Sequence, residues 1–310
     1  MIISYQLYII IYIFAQMKEK ATINKLMQYC IKQYYTPKKC RSCVNNKQCI
    51  ASENCYKVCI YKVHRIANKS LHYNCKNMLF CYIMKHFYRY ASEIESIFER
   101  FFYNCHSHIK VASVGCGPAS EFYGITDFLE NNTDCKLSFD YTGLDIDDFW
   151  QPIWDYTQEN FKNAKFVKSD FFKYYKEHEL PEVVIINYML SDMAKYKPDG
   201  IKNFLDDLKN FISEMPYGVI IINDINYEKD TVETAFGCLN YLHKKIVNLP
   251  NIKIHSGSFT KLPISQKYFG KRIDDDRIRA NMIDIPFDIQ PFSKCNSIQH
   301  IIIKHKSKEL

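Results

Sequence analysis

The chain has 310 residues, of which 47% are hydrophobic and 24% charged, an ordinary globular balance that excludes a largely disordered protein. Its net charge of +7 is unevenly spread: residues 1–110 hold 17 Lys/Arg against 5 Asp/Glu, and the other 200 hold 24 against 29. A basic segment of charge +12 ahead of a mildly acidic one is expected to meet a polyanion, either nucleic acid or an anionic membrane surface, with a solvated Lys-rich face as the alternative.

Residues 1–16, MIISYQLYIIIYIFAQ, carry no charge. They are short for a membrane span and lack the positive start of a secretory signal. They read as a hydrophobic tail or an over-extended start ahead of Met17, and a membrane anchor is the less favoured reading. Residues 17–82 form a basic cysteine-rich segment, with eight of the chain's 13 cysteines between Cys30 and Cys81. Without an export signal, a reducing cytoplasm and metal ligation suit them better than disulfides.

Cys40 and Cys43 make a C-x-x-C pair, and Cys49, Cys55 and Cys59 follow without a second pair of that spacing. Zinc, an iron–sulfur cluster and free core cysteines all stay open. Lys38, Lys39, Arg41, Lys47 and Lys57 interleave with Tyr34, Tyr35 and Tyr56, a pattern suited to phosphates and unpaired bases, or to composition alone.

From Ile83 to Phe102 the apolar positions Ile83, Phe87, Tyr90, Ile94, Ile97, Phe98 and Phe101 recur at helical spacing, which predicts one amphipathic helix with a core-facing stripe. Residues 83–108 are therefore expected to link the cysteine-rich segment to a domain spanning 109–310.

That domain is predicted to alternate strands and helices. Strands are expected at 109–114, 137–145, 164–170, 182–189, 217–224, 251–259 and 297–305. Helices are expected at 119–130, 150–161, 171–177, 200–214 and 229–247. The alternation predicts an α/β fold with a parallel, doubly wound sheet. A Pro-containing loop at 260–294 separates the last two strands and predicts an antiparallel excursion at the end.

In such a sheet a ligand sits where strands end and helices begin. The stretch VASVGCGPASE runs from an apolar strand into Gly115 and Gly117. Gly115 is expected to turn the chain tightly, Gly117 to leave room for a ligand against the backbone, and Pro118 to open the helix. Asp145 ends the second strand in GLDID, where a carboxylate can accept both hydroxyls of a ribose, or cap a turn. The third strand ends in KSDFF and the fourth in INYMLSDM. Asp224, at the fifth strand end, reads either as lining the site or as the cap of the helix that follows.

From about Ile109 to Lys304 the sequence resembles the class I S-adenosylmethionine-dependent methyltransferases, on VASVGCGPASE as the glycine-rich motif, Asp145 as the acidic ribose residue, Asp170 near the adenine and NYML as the fourth motif. The resemblance implies a seven-stranded Rossmann-like methyltransferase sheet with helices on both faces and the last strand antiparallel, preceded here by a small cysteine-rich, mainly helical module. It implies Gly115, Cys116, Gly117, Pro118, Glu121, Asp145, Ile146, Ser169, Asp170 and Asn187 as cofactor contacts, and Asn187, Tyr188, Ser191 and Asp192 near the reacting methyl. Cys116 also reads as a small packing residue. A nicotinamide-binding domain competes, but Ser120 stands where its third glycine belongs.

The D/N-P-P-Y signature of exocyclic amino methylation is absent, and no Cys ends the fourth or fifth strand to serve a covalent route. The expectation is a cytoplasmic methyltransferase acting on a nitrogen or oxygen of a nucleic acid, RNA favoured, with S-adenosylmethionine and either zinc or an iron–sulfur cluster. Its alternatives are a protein or small-molecule acceptor, or a silent cofactor-binding assembly factor.

Overall fold

The structure is a computed structural model that describes residues 21–34, 76–225, 234–259, 282–286, 289–292 and 295–306. Cys40, Cys43, Cys49, Cys55, Cys59 and residues 1–16 lie outside the described residues, and the metal and membrane-tail expectations lie there with them. The described chain divides into two compact units, one of residues 1–99, 123–134 and 276–294, the other of residues 100–122, 135–275 and 295–310.

The first unit holds helix α1 (Thr22–Tyr34) and most of α2 (Lys76–Phe102), with the later turns of α3 (Ser120–Asn131). The stripe expected on α2 is present: Ile83, Phe87, Ile94, Ile97 and Phe98 are buried, while Phe101 is only partly so. The helix starts seven residues before Ile83 because KNMLFCY contains no breaker. Aromatic edges join it to α3, with Phe87 and Tyr123 ring centroids 5.3 Å apart and Phe98 and Phe128 6.2 Å apart.

Helix α1 buries Leu26, Met27 and Cys30, and its start is held by carboxylates of α3. The Thr22 backbone N–H donates to Glu130 Oε2 at 3.2 Å and its hydroxyl to Oε1. Tyr88 Oη donates to Asn24 Oδ1 at 2.5 Å. A negative charge at the first turn satisfies orphan N–H groups and suits the helix dipole.

The second unit is the sheet. Its strands are β1 (His108–Val114), β2 (Ser138–Asp145), β3 (Ala164–Lys168), β4 (Val183–Asn187), β5 (Gly218–Ile225), β6 (Ile252–Ser258) and β7 (Ser297–Lys304), in the order β3-β2-β1-β4-β5-β7-β6. β1 to β5 are parallel, and β7 runs antiparallel to both β5 and β6, as the final excursion predicts. After β3 the chain returns to the far side of β1, so right-handed crossovers put the helices of the two halves on opposite faces.

The helices of this unit are α4 (Gln151–Asn160), α5 (Phe171–Tyr174), α6 (Leu190–Tyr196), α7 (Pro198–Glu214) and α8 (Ala235–Ile246). Leu205, Leu208 and Ile212 of α7 and Leu239, Leu242 and Ile246 of α8 share one core with Val184, Ile186, Ile220 and Ile222. The alternate residues Val183, Ile185 and Ile221 are buried as well, so β4 and β5 are covered on both faces, as unbroken runs of Val and Ile require. This is a seven-stranded, Rossmann-like sheet with helices on both faces, and it brings the first five strand ends to one edge.

Thr22→Val removes the hydroxyl donor to Glu130 without changing the volume of the side chain. It is expected to lower stability by about 1 kcal/mol, the net worth of one hydrogen bond, and to speed amide exchange at residues 23–26. Chemical denaturation with exchange mass spectrometry checks both.

Candidate active site at the carboxyl edge of the sheet

The turn leaving β1 is built on left-handed backbone: Gly115 has φ +61°, Gly117 +48° and Ala119 +64°. Only glycine adopts this at no steric cost, so Ala119 adds a small local strain. At Gly115 there is a second reason, since a Cβ would stand 2.7 Å from Met189 Sδ. At Gly117 the nearest neighbours of a Cβ would be the Trp150 indole at 3.7–3.8 Å, an ordinary contact. Glycine is demanded there by φ. Pro118 sits in the turn two residues before α3 begins at Ser120, so it does not open the helix.

Three hydrogen bonds fasten this turn. Cys116 N donates to Leu144 O at 3.0 Å, Gly117 N to Asp145 Oδ2 at 3.0 Å, and Trp154 Nε1 to Gly117 O at 2.8 Å. Cys116 is buried, and burial pushes its thiol well above the usual range, in keeping with a packing residue.

The other Asp145 oxygen accepts from Asp147 N at 2.9 Å. Burial pushes this carboxyl up while the Asp147 and Gly117 N–H groups oppose the shift. The Ile146 N–H opposes the shift as well, and a carboxylate accepts about four bonds, so acceptor capacity remains for a further donor. Beyond it, Asp147 caps a 3₁₀ turn at Asp148–Trp150 through Phe149 N, and Ile146 is left 60% exposed. Ser169 N donates to Asp145 O at 3.0 Å, which places the β3 end beside it. Asp170 is exposed and its carboxylate caps α5, accepting from Lys173 N at 2.9 Å.

At the β4 end Asn187 is buried, and Tyr188 has φ +54°, an uncommon conformation for a bulky residue. Tyr188 N donates to Asn223 O at 2.8 Å, and α6 follows at once. Asp224, fully buried on β5, accepts from Ser191 N at 3.1 Å and from Ile225 N at 2.7 Å. It therefore caps α6, the helix before it in the chain, and neither lines an open site nor caps the helix that follows. Burial pushes its carboxyl up to about 6, against the bonds from Ser191. Asp192 keeps solvent contact in the first turn of α6, yet crowding by protein atoms and the charge of Asp224 push it up to about 7, with Lys195 opposing.

A line of buried polar side chains joins these strand ends. Asn223 Nδ2 donates to Asn187 Oδ1 at 2.8 Å, Asn187 Nδ2 to Ser120 Oγ at 3.2 Å, and Ser120 Oγ to Glu121 Oε1 at 3.0 Å. Tyr141 Oη donates to Glu121 Oε2 at 3.4 Å. Asn223, Ser120 and Tyr141 escape sequence reasoning, because only the register of the sheet brings them together. The one available signal is the polar pair Asn223–Asp224 closing an Ile-rich strand.

The structure thus brings Gly117, Asp145 and Ser169 into one bonded group, and Asn187, Ser120 and Glu121 into a second that begins three residues after Gly117, while the Asp170 carboxylate caps its own helix. Among the described residues no group of three or more His, Cys, Asp or Glu is arranged to hold a metal, and no helix is long and apolar enough to cross a membrane.

No family model matches the chain, and no curated protein matches it. Similar solved structures include the plantazolicin methyltransferase BpumL in complex with SAH, 11% identical, covering 95% of this chain and 100% of that one, with a TM-score of 0.43. A SAM-dependent methyltransferase from Archaeoglobus fulgidus is 16% identical over 69% of this chain and 94% of its own, TM-score 0.39. Precorrin-6y C5,15-methyltransferase from Geobacter metallireducens GS-15 is 13% identical over 70% and 86%, TM-score 0.37.

Glu121 is buried, and burial pushes its carboxyl from 4.5 up to about 7. A raised acid pKa means that the folded state binds the extra proton. Stability is then greatest below about pH 4.5 and falls as pH rises towards 7. Glu121→Gln is expected to flatten this part of the profile and to exceed the wild type at pH 8 by about 1–3 kcal/mol. Urea titrations at pH 5 and pH 8 check it, and equal differences at both values would refute the assignment.

Proposed function

We propose that the chain binds S-adenosylmethionine at the turn after β1 and transfers its methyl group to a nitrogen or oxygen acceptor. The observation that carries this reading is the bond from Gly117 N to Asp145, at the carboxyl edge of a sheet with this strand order and a reversed β7. The residues suit the group: the left-handed turn brings bare backbone to the edge, and Asp145 retains acceptor capacity for a ribose hydroxyl. Exposed Ile146 offers an apolar face for the adenine, with Ser169 and Asp170 beside it. Asn187, Tyr188, Ser191 and Asp192 are assigned to the reacting end.

Bound there, S-adenosylmethionine would supply a methyl carbon made electrophilic by its sulfonium. The protein's share of the work is alignment and exclusion of water. Tyr188, held by its N–H to Asn223 O, stands at the strand end where an acceptor would be oriented. Asp192, accessible and pushed up to about 7, is suited to take the acceptor's proton near neutral pH.

RNA is our first choice of acceptor, on the +12 charge of residues 1–110, whose Lys and Arg can neutralise phosphates. A second reading, a nitrogen of a protein or small molecule, is favoured by the carboxylates Asp145, Asp147, Asp148, Asp170 and Asp192 at the ends of β2, β3 and β4. Asp148 pairs with Lys168 at 2.6 Å, and the group as a whole carries more negative than positive charge. Such a field repels phosphate and attracts a cationic amine.

Isothermal titration of the full chain with S-adenosylmethionine is expected to show one site, and Asp145→Ala to raise its Kd about tenfold or more, the scale of a charged hydrogen bond. Labelled methyl transfer to RNA, DNA and basic peptides then separates the two acceptors. RNA methylation that weakens steeply as salt rises supports the first, and methylated peptide with inert RNA the second. A wild-type chain that binds no S-adenosylmethionine would overturn the proposal.

A further inference from the structure

We propose that Asn223 is a positioning residue for the methyl-donor site, acting at the end of a directional relay that Glu121 polarises and that fixes which way the Asn187 amide faces. The inference rests on the cofactor-site reading and gives that site a part beyond the residues expected to touch the ligand.

The argument begins with what an asparagine lacks. Its amide oxygen and nitrogen are nearly the same size, so packing alone cannot choose between the two orientations of the group. Asn187 is buried at the last pair of the β4–β5 register, opposite Asn223. On one side it meets Asn223, which can present either oxygen or nitrogen. On the other it meets Ser120, whose hydroxyl can donate or accept.

Glu121 breaks this symmetry. Once ionised, at a pH above its raised value of about 7, its carboxylate only accepts, so the Ser120 hydroxyl hydrogen goes to Glu121 Oε1 at 3.0 Å and leaves Ser120 Oγ as an acceptor. The Asn187 nitrogen must then face Ser120, at 3.2 Å, and its oxygen must face Asn223. Asn223 completes the sequence by presenting its own nitrogen, at 2.8 Å. Tyr141 donates to the other Glu121 oxygen, which keeps that carboxylate an acceptor on both sides.

Each donor thus points towards Glu121, through three bonds that cross from β5 over β4 to the first turn of α3. The reverse orientation would leave two like groups facing each other in the interior, where an unmet polar atom costs most. The consequence for the proposed site is a fixed Asn187 donor group beside the glycine turn. A mobile amide would present donor and acceptor in turn, and only one of the two suits a given ligand atom.

Asn223→Asp tests this directly at pH 8.5, above the raised values of the neighbouring Asp224 and Glu121, because an ionised carboxylate cannot donate to Asn187 Oδ1. Titration of S-adenosylhomocysteine into the full-length wild type, Asn223→Asp, Asn187→Ala and the double variant forms a cycle, run at 25 °C on samples whose near-ultraviolet circular dichroism is native. Should Asn223→Asp fail to fold, Asn223→Ala takes its place. Each single variant is expected to weaken binding about tenfold, and the double variant no further than the weaker single, since Asn223 acts only through Asn187.

Additive losses, or unchanged affinity in the Asn223 variant, would overturn the relay while leaving the cofactor site in place. Absence of binding by the wild type would remove both. A merely structural Asn223 would lower Tm without moving the affinity.

Discussion

The arrangement at the carboxyl edge depends on a single constraint, the bond between the Gly117 N–H and the Asp145 carboxylate. A turn carrying left-handed residues at Gly115, Gly117 and Ala119 has no repeating hydrogen bonds of its own, so its shape must be imposed by neighbours. The end of β2 imposes it from one side through Leu144 O and Asp145, and Trp154 from the other through Gly117 O. Because Val114 is paired with Leu144 in the register of β1 and β2, a slip of one residue would take the carboxylate away from the turn. The site is therefore a consequence of strand register before it is a collection of polar side chains.

The same edge carries carboxyls that the interior disfavours. Asp224 is fully buried and tolerated because Ser191 and Ile225 donate to it at the start of α6. Its negative charge suits the positive end of that short helix, and it holds the first turn on which Ser191 and Asp192 stand. Glu121 is tolerated in the same way by Ser120 and Tyr141. Both carboxyls are pushed up towards neutrality by burial, so the sheet is expected to be more stable in mild acid than at high pH as far as these two groups decide it.

Much of this fold can be read in the sequence. The buried parallel strands are runs such as VVIIN and GVIII, and each strand lies within two residues of its expected boundaries. The glycine turn was legible too, because a strand, two glycines and a helix pattern occur in that order. Pro118 was misread: Ala119 also needs a left-handed backbone, so the helix cannot begin until Ser120. Helix α6 is hidden in the sequence because LSDMAKY spans only two turns and follows its strand so closely that it reads as a polar strand end. Asp224 reads in the sequence as lining the site or capping the helix after it, because sequence distance favours the next element, whereas the sheet brings the start of α6 within its reach. The relay from Asn223 to Glu121 left no sequence trace, because its members are up to 103 positions apart and meet only through the order β2-β1-β4-β5.

The central claim is that the turn after β1 and the end of β2 together receive the cofactor. Hydrogen exchange of the full chain with and without saturating S-adenosylhomocysteine tests it without any substitution. Slowed exchange concentrated in residues 115–120 and 145–148 is the predicted result. Protection confined to other segments, or no protection at a concentration that saturates binding, would contradict it.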